Sequence, residues 1–315
     1  MGPDHGVNRA SGISGYNGRV DVAGFSFLND IIFKIVFGAE ANRALLRALL
    51  NALLELSGED RIVELSILNP QVDKEYLTQK GAILDVRARD GKGRLYNIEV
   101  QVSDEPAYME RALYYLSRLF SGQLEMGESY TQIAKTIGIS LTDFVLFRDQ
   151  ADLQSTYRLV DEDHGRRFPE VLELHFIELV KFDRDKPREL RTPFERWLHV
   201  LKFGELYGSG GARVPEELQR EEGIEMAVEA LRKARSSDQV RELIEFRMKA
   251  DRDEATRLER ARLQGLEQGR QEALVQTIRR MRAAGATVEE IRRLTGLDPD
   301  ELDPRRVEAE PPGPR

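Results

Sequence analysis

Two carboxylates in the segment 81–103 are placed to share a cation. The residues alternate between apolar and polar along two runs, which is typical of two β-strands. Asp85 lies on the polar face of the first run, and Glu99 and Gln101 lie on the polar face of the second. Two carboxylates at directly opposed positions are about 5 Å apart at Cβ and repel each other in a half-buried setting. Such a pair normally requires a cation, and a divalent metal ion is the usual one.

The turn between the two runs determines which residues face each other. It suits a three-residue loop in which Gly93 takes the left-handed conformation, because glycine adopts positive φ without steric cost. This loop pairs Asp90 with Arg94. Counting back along both strands then places Asp85 opposite Glu99.

Composition limits the kinds of site that the chain can build. It has 315 residues and no cysteine, which excludes disulfides, thiolate metal sites and cysteine catalysis. The four histidines show no ligand spacing, so oxygen atoms are the expected metal ligands. With 47 basic and 55 acidic residues the net charge is −8, which argues against a globally basic nucleic-acid binder. A local basic groove with a bound metal ion can still hold phosphate.

No part of the sequence suggests export or a membrane. The first twenty residues lack the apolar core of a signal peptide, and no run of about 18 apolar residues occurs. We therefore expect a cytoplasmic protein without a membrane partner.

The elements that must position the site predict a mixed α/β core. Helices are expected from a cap at Asn29 or Asp30 to about residue 37, then over 41–56, 106–126 and 193–203. Strands are expected over 61–68, in the two arms of the hairpin, and over 136–147, 156–160 and 173–182. The order of helix, strand, hairpin, helix and strands is typical of a mixed sheet flanked by helices.

The remaining segments differ in composition from this core. We expect a disordered tail over 1–22, the α/β core over 23–207, a linker over 208–214, a helical assembly region over 215–303 and a free tail over 304–315. The sparse apolar stripe on the charged C-terminal helices favours pairing with another helix, within the chain or in a homodimer. A helix-turn-helix is not favoured there, because its recognition segment would be acidic.

An aspartate on one strand, followed by Glu-x-Gln on the next, resembles the metal site of PD-(D/E)XK nucleases. Within that superfamily the chain is similar to the recombination-promoting nuclease / putative transposase family. The resemblance spans roughly residues 25 to 205. It is carried by the segments 27–37, 108–130, 137–144, 174–182 and 191–198.

The resemblance implies a PD-(D/E)XK-like fold and a DNA endonuclease that requires magnesium or manganese. Asp85 and Glu99 would bind the cation, with the main-chain carbonyl of Val100 as a possible third oxygen. Gln101 stands where the superfamily usually has lysine, and its amide could orient a water molecule. Asp30 could act as an auxiliary acid; as a simple helix cap it would need no catalytic role.

Other residues could contact DNA. Arg111 and Tyr115, one helical turn apart, together with Lys34, are the candidates for phosphate binding. The alternative for Arg111 and Tyr115 is a solvated arginine and a half-buried tyrosine. Two alternatives to the enzyme also remain: a DNA-binding accessory protein without turnover, and an interaction module centred on the C-terminal helices.

Overall fold

The computed structural model describes residues 25–69, 85–183, 187–208 and 213–297. This part of the chain forms two compact units, one ending at Arg247 and the next beginning at Met248. The two tails expected at the termini lie outside the described residues, as do the first residues of the expected hairpin.

A mixed sheet of six strands forms the centre of the first unit, as the sequence predicted. The strands are β1 (Leu65–Ile67), β2 (Val86–Asp90), β3 (Leu95–Gln101), β4 (Thr136–Thr142), β5 (Gln154–Arg158) and β6 (Leu172–Glu178). Their order across the sheet is β1-β2-β3-β4-β6-β5. The central pairs β3/β4 and β4/β6 are parallel, and the outer pairs are antiparallel. Most strands are shorter than expected, and β1 keeps only three residues of 61–68.

Helices precede the sheet, connect its strands and follow it. They are α1 (Asp30–Phe37), α2 (Arg43–Leu53), α3 (Tyr108–Ser121), α4 (Pro193–Phe203), α5 (Glu205–Gly208), α6 (Glu216–Gln219), α7 (Ile224–Ser236), α8 (Asp238–Ala283) and α9 (Val288–Thr295). Asn29 is the cap of α1, because its side chain accepts hydrogen bonds from the amides of Ile31 and Ile32 at 3.0 and 3.1 Å. Asp30 is therefore the first residue of the helix.

Helix α3 lies close to one face of the sheet because β4 carries a glycine beneath it. A Cβ atom on Gly138 would come within 2.8 Å of Leu174 Cδ1 and 3.2 Å of Leu116 Cδ1. The contact encloses a small core beneath the helix, formed by Tyr108, Ala112, Leu116, Leu174 and Phe176. Leu113, on the same helix, is exposed. The close approach brings the first turns of α3 over the middle of β3 and β4.

Helices α6 and α7 belong to the first unit. Most of the expected linker at 208–214 lies outside the described residues, and the predicted division into domains stays a prediction. Helix α7 contacts α1, and four of its apolar residues are completely buried. These residues are Ile224, Ala227, Val228 and Leu231. Their burial against the core accounts for the inclusion of α7 in the first unit.

Within the described part of the chain, no helix has both the length and the apolar character needed to cross a membrane.

Candidate functional site

The hairpin brings the two predicted carboxylates to neighbouring positions. The amide of Asp90 donates to the carbonyl of Arg94 at 3.1 Å, and Gly93 has φ +82°, as the expected loop requires. In the ladder Val86 pairs with Ile98. Extending this register by one residue places Asp85 beside Glu99, on the face that carries α3.

Asp85 is almost completely buried, and both of its carboxylate oxygens accept hydrogen bonds. It is 5% exposed at the start of β2. The side-chain amide of Asn69, at the end of β1, donates to Oδ1 at 3.2 Å. Nε of Arg87, two residues further along β2, donates to Oδ2 at 2.7 Å in an ion pair.

Glu99 is equally buried, but only one of its oxygens is bonded by the described residues. The hydroxyls of Tyr108 and Ser140 reach the same atom, Oε1, at 2.8 and 3.3 Å. Ser140 lies directly opposite Glu99 in the parallel pair β3/β4. The other oxygen, Oε2, accepts no hydrogen bond from the part of the chain that the structure describes.

Burial raises the pKa of the Glu99 carboxyl above its ordinary value, and the charge of Asp85 adds to this shift. The Tyr108 hydrogen bond and the Arg111 charge oppose it. Burial also raises the pKa of the Tyr108 hydroxyl, which keeps it protonated and able to donate. The register places the two carboxylates at adjacent positions, where like charges repel and a bound cation is favoured.

Lys34 is buried, whereas a side chain that contacts DNA is expected to be exposed. It is only 3% exposed, and its ammonium group donates to the main-chain carbonyls of Asp85, at 2.8 Å, and of Asn69. Burial lowers its pKa to about 8, an effect that the charge of Asp85 partly offsets and that of Arg87 reinforces. Lys34 thus adds positive charge behind Asp85 and fixes the main chain there.

Gln101 is held by the start of α3. Its side-chain oxygen accepts a hydrogen bond from Nη2 of Arg111 at 2.8 Å, and its amide donates to Ser103 and Glu105 at 3.0 and 3.1 Å. Arg111 also forms an ion pair with Glu105 and lies 5.3 Å from the centre of the Tyr108 ring. The positive charge that Gln101 lacks is therefore supplied next to it by Arg111.

The other two predicted residues lie on the neighbouring helices. Asp30 accepts a hydrogen bond from the amide of Ile31 at 2.8 Å and forms an ion pair with Arg247 at 3.5 Å. It precedes Lys34 by one helical turn. Tyr115 is half-buried, and its ring packs edge-on against Tyr114 with centroids 5.4 Å apart.

The donors at this site suit a hard divalent cation. Among the described residues, no group of three or more His, Cys, Asp or Glu side chains is arranged to hold a metal ion. An ion here would rely on Asp85 and Glu99, completed by main-chain oxygen and water, a donor set that magnesium and manganese accept. Val100, which follows Glu99 on β3, is half-buried and remains the predicted third ligand.

Four residues that shape the site were not among the residues predicted from the sequence. Alternation along the hairpin places Arg87 and Asn97 on the face of the carboxylates, so both could have been predicted from the sequence. No sequence pattern near Ser140 indicates its contact with Glu99, because that contact depends on which strand lies beside β3. Tyr108 lies about one helical turn before Arg111, but this spacing alone does not reveal that Tyr108 bonds Glu99.

The Tyr108 hydrogen bond is open to a direct test. We expect Tyr108→Phe to lower the free energy of unfolding by about 1–3 kcal/mol, because a buried carboxylate oxygen loses its closest donor. Urea denaturation at pH 7 measures this change. Tyr114→Phe is the matched control, since that ring is 57% exposed and its hydroxyl should contribute little. Equal stability of the two variants would contradict a structural role for the bond.

Comparison with known proteins places the chain in a family. No curated protein and no solved structure gives a significant match. The family model described as PD-(D/E)XK nuclease family transposase matches residues 27–261. The matched region includes both carboxylates, the whole sheet, and helices α6 and α7. Because it covers more than half of the sequence, the chain belongs to the PD-(D/E)XK nuclease family transposases.

Proposed function

We propose that the protein is a metal-dependent DNA endonuclease that hydrolyses phosphodiester bonds during DNA recombination or transposition. The observation that carries this proposal is the burial of Asp85 and Glu99 at adjacent positions, each 5% exposed, where their charges act on each other. Membership of a nuclease family supports DNA as the substrate.

Asp85 and Glu99 would hold magnesium or manganese, with the carbonyl of Val100 as the third protein oxygen. When bound, such an ion polarises the phosphoryl group and lowers the pKa of its water to generate a nucleophile near neutral pH. Tyr108 holds Oε1 of Glu99 by its hydrogen bond, so that Oε2 can serve as the ligand atom.

Positive charge near the reacting phosphate would come from the helices. Arg111 lies beside Gln101, and Lys34 lies behind Asp85, so together they supply the charge that a lysine at position 101 would bring. Both N–H groups of the Gln101 amide are already donated, so Gln101 would orient water through the remaining lone pair of its side-chain oxygen. Asp30, one helical turn before Lys34, remains the proposed auxiliary acid. Tyr115 remains a proposed contact with DNA.

A homodimer formed through the C-terminal helices would allow cutting of both DNA strands. In the second unit, α8 carries three exposed leucines that are suited to contact a second helix. They are Leu258, Leu263 and Leu266.

The same site also favours a second candidate function, a DNA-binding accessory protein with little or no turnover. Each polar atom of the Gln101 side chain is already bonded, and Asp85 is paired with Arg87. These contacts hold both side chains in place without a metal ion or a substrate, as a protein that only binds DNA would require.

Incubation of the purified full-length protein with supercoiled plasmid separates the two functions. An endonuclease nicks the plasmid with magnesium and stops when EDTA is added. An accessory protein retards the plasmid on a gel without nicking it. Nicking that persists in EDTA would contradict the metal-dependent mechanism.

A further inference from the structure

Arg87 is the side chain that stands between Asp85 and a metal ion. It lies on the same face of β2 as Asp85, and its Nε is 2.7 Å from Oδ2 of that carboxylate and 3.4 Å from Oδ1 of Asn97. Among the described residues, it is the only cation within ion-pair distance of the Asp85 side chain. The ammonium group of Lys34 bonds the main-chain carbonyl instead.

The two carboxylates of the site therefore differ. Oε2 of Glu99 accepts no hydrogen bond from the described residues, whereas both oxygens of Asp85 accept one. A guanidinium and a divalent cation beside the same oxygen repel each other, because both are positive and only a few ångströms apart. Binding of a metal ion to Oδ2 therefore requires Arg87 to leave it.

Arg87 is able to leave, unlike the other groups around Asp85. Its side chain is 41% exposed, so the guanidinium can move into water at little desolvation cost. Asn69 is fixed by a further hydrogen bond that its Oδ1 accepts from the amide of Arg87 at 2.8 Å. Lys34 is buried.

We propose that Arg87 is an exchangeable counter-ion of Asp85 that competes with the divalent cation and sets the metal affinity of the site. This inference rests on the proposed metal site. A guanidinium in place of a metal ion neutralises Asp85 within the buried cluster, and it weakens metal binding by the free energy needed to displace it. The affinity for metal is then set by a surface residue that need not touch the metal.

Manganese binding to the full-length protein, measured from the electron paramagnetic resonance signal of free Mn²⁺, tests the competition without any assay of cleavage. Arg87→Gln is expected to bind Mn²⁺ about tenfold more tightly than the wild type, which corresponds to about 1.4 kcal/mol. Arg87→Met removes the same charge with an apolar side chain of similar length, and it should also bind Mn²⁺ more tightly. Arg89→Gln is the matched control, because Arg89 is an exposed arginine of the same strand without an ion pair to Asp85.

Each outcome decides a separate point. Tighter binding in both Arg87 variants, with Arg89→Gln unchanged, supports the competition. Equal or weaker binding in the Arg87 variants overturns it while leaving the metal site and the proposed nuclease intact. An equal gain in Arg89→Gln also overturns it, because general electrostatics would then explain the effect. No saturable binding in any of the proteins rejects the metal site itself, and the competition with it.

Discussion

Asp85→Asn and Glu99→Gln are each expected to lower magnesium-dependent plasmid nicking by at least about a hundredfold, or about 2.7 kcal/mol in the activation barrier. Each substitution keeps the shape of the side chain but removes the negative charge that a divalent cation requires. The buried setting strengthens the effect, since solvent cannot replace a missing charge there. Initial nicking rates at saturating magnesium measure the loss.

Asp104→Asn is the matched control for charge. Asp104 is exposed and lies three residues after Gln101, so its loss changes the net charge equally without touching the buried pair. Its nicking rate should remain within about twofold of the wild type. Equal nicking by the wild type and both site variants would point to a contaminating nuclease and reject the assignment. Thermal unfolding of each protein checks that the loss of activity is not a loss of fold.

The geometry of the hairpin can be predicted because its determinants are local. Alternation assigns Asp85 and Glu99 to one face, and the loop that requires positive φ at Gly93 sets the register. The hydrogen bond between Asp90 and Arg94 confirms that register. A capping box at Thr192 likewise makes the bounds of α4 agree with the expected helix.

The partners of the two carboxylates cannot be predicted in the same way, because they come from distant parts of the chain. Ser140 reaches Glu99 only because β4 pairs in parallel with β3. Tyr108 reaches it only because Gly138 lets α3 lie close to the sheet. Neither contact leaves a signal in the spacing of nearby residues.

Lys34 shows how a general rule fails at a particular site. Lysine is normally exposed, and Lys34 was a candidate for contact with phosphate. Two main-chain carbonyls, of Asp85 and Asn69, replace the water that the ammonium group loses. Burial of this kind depends on the tertiary structure, so helix periodicity alone could not reveal it.

Helix α7 lies in a segment of dense charge, and yet it packs against the core. The dense mixed charge after Pro215 suggested a separate helical region, yet the apolar positions 224, 227, 228 and 231 follow the spacing of a helix that packs against a core. The structure buries all four of these side chains. The family match to residue 261 also includes them.

The second large effect follows from this packing. Leu231→Ala is expected to lower the free energy of unfolding by about 2–5 kcal/mol, because a fully buried leucine leaves a cavity that the core fills only in part. Leu266→Ala is the control, since Leu266 is 70% exposed on α8 and should change stability by less than about 0.5 kcal/mol.

Trp197 makes the measurement specific to the first unit. It is the only tryptophan and is fully buried, and a Cβ atom at Gly223, just before α7, would lie 3.1 Å from its ring. Its fluorescence during urea denaturation therefore reports the unfolding of the core against which α7 packs. If Leu231→Ala and Leu266→Ala shift this transition equally, α7 does not unfold cooperatively with the core. The division at 208–214 would then describe the folding unit better than the boundary at Arg247.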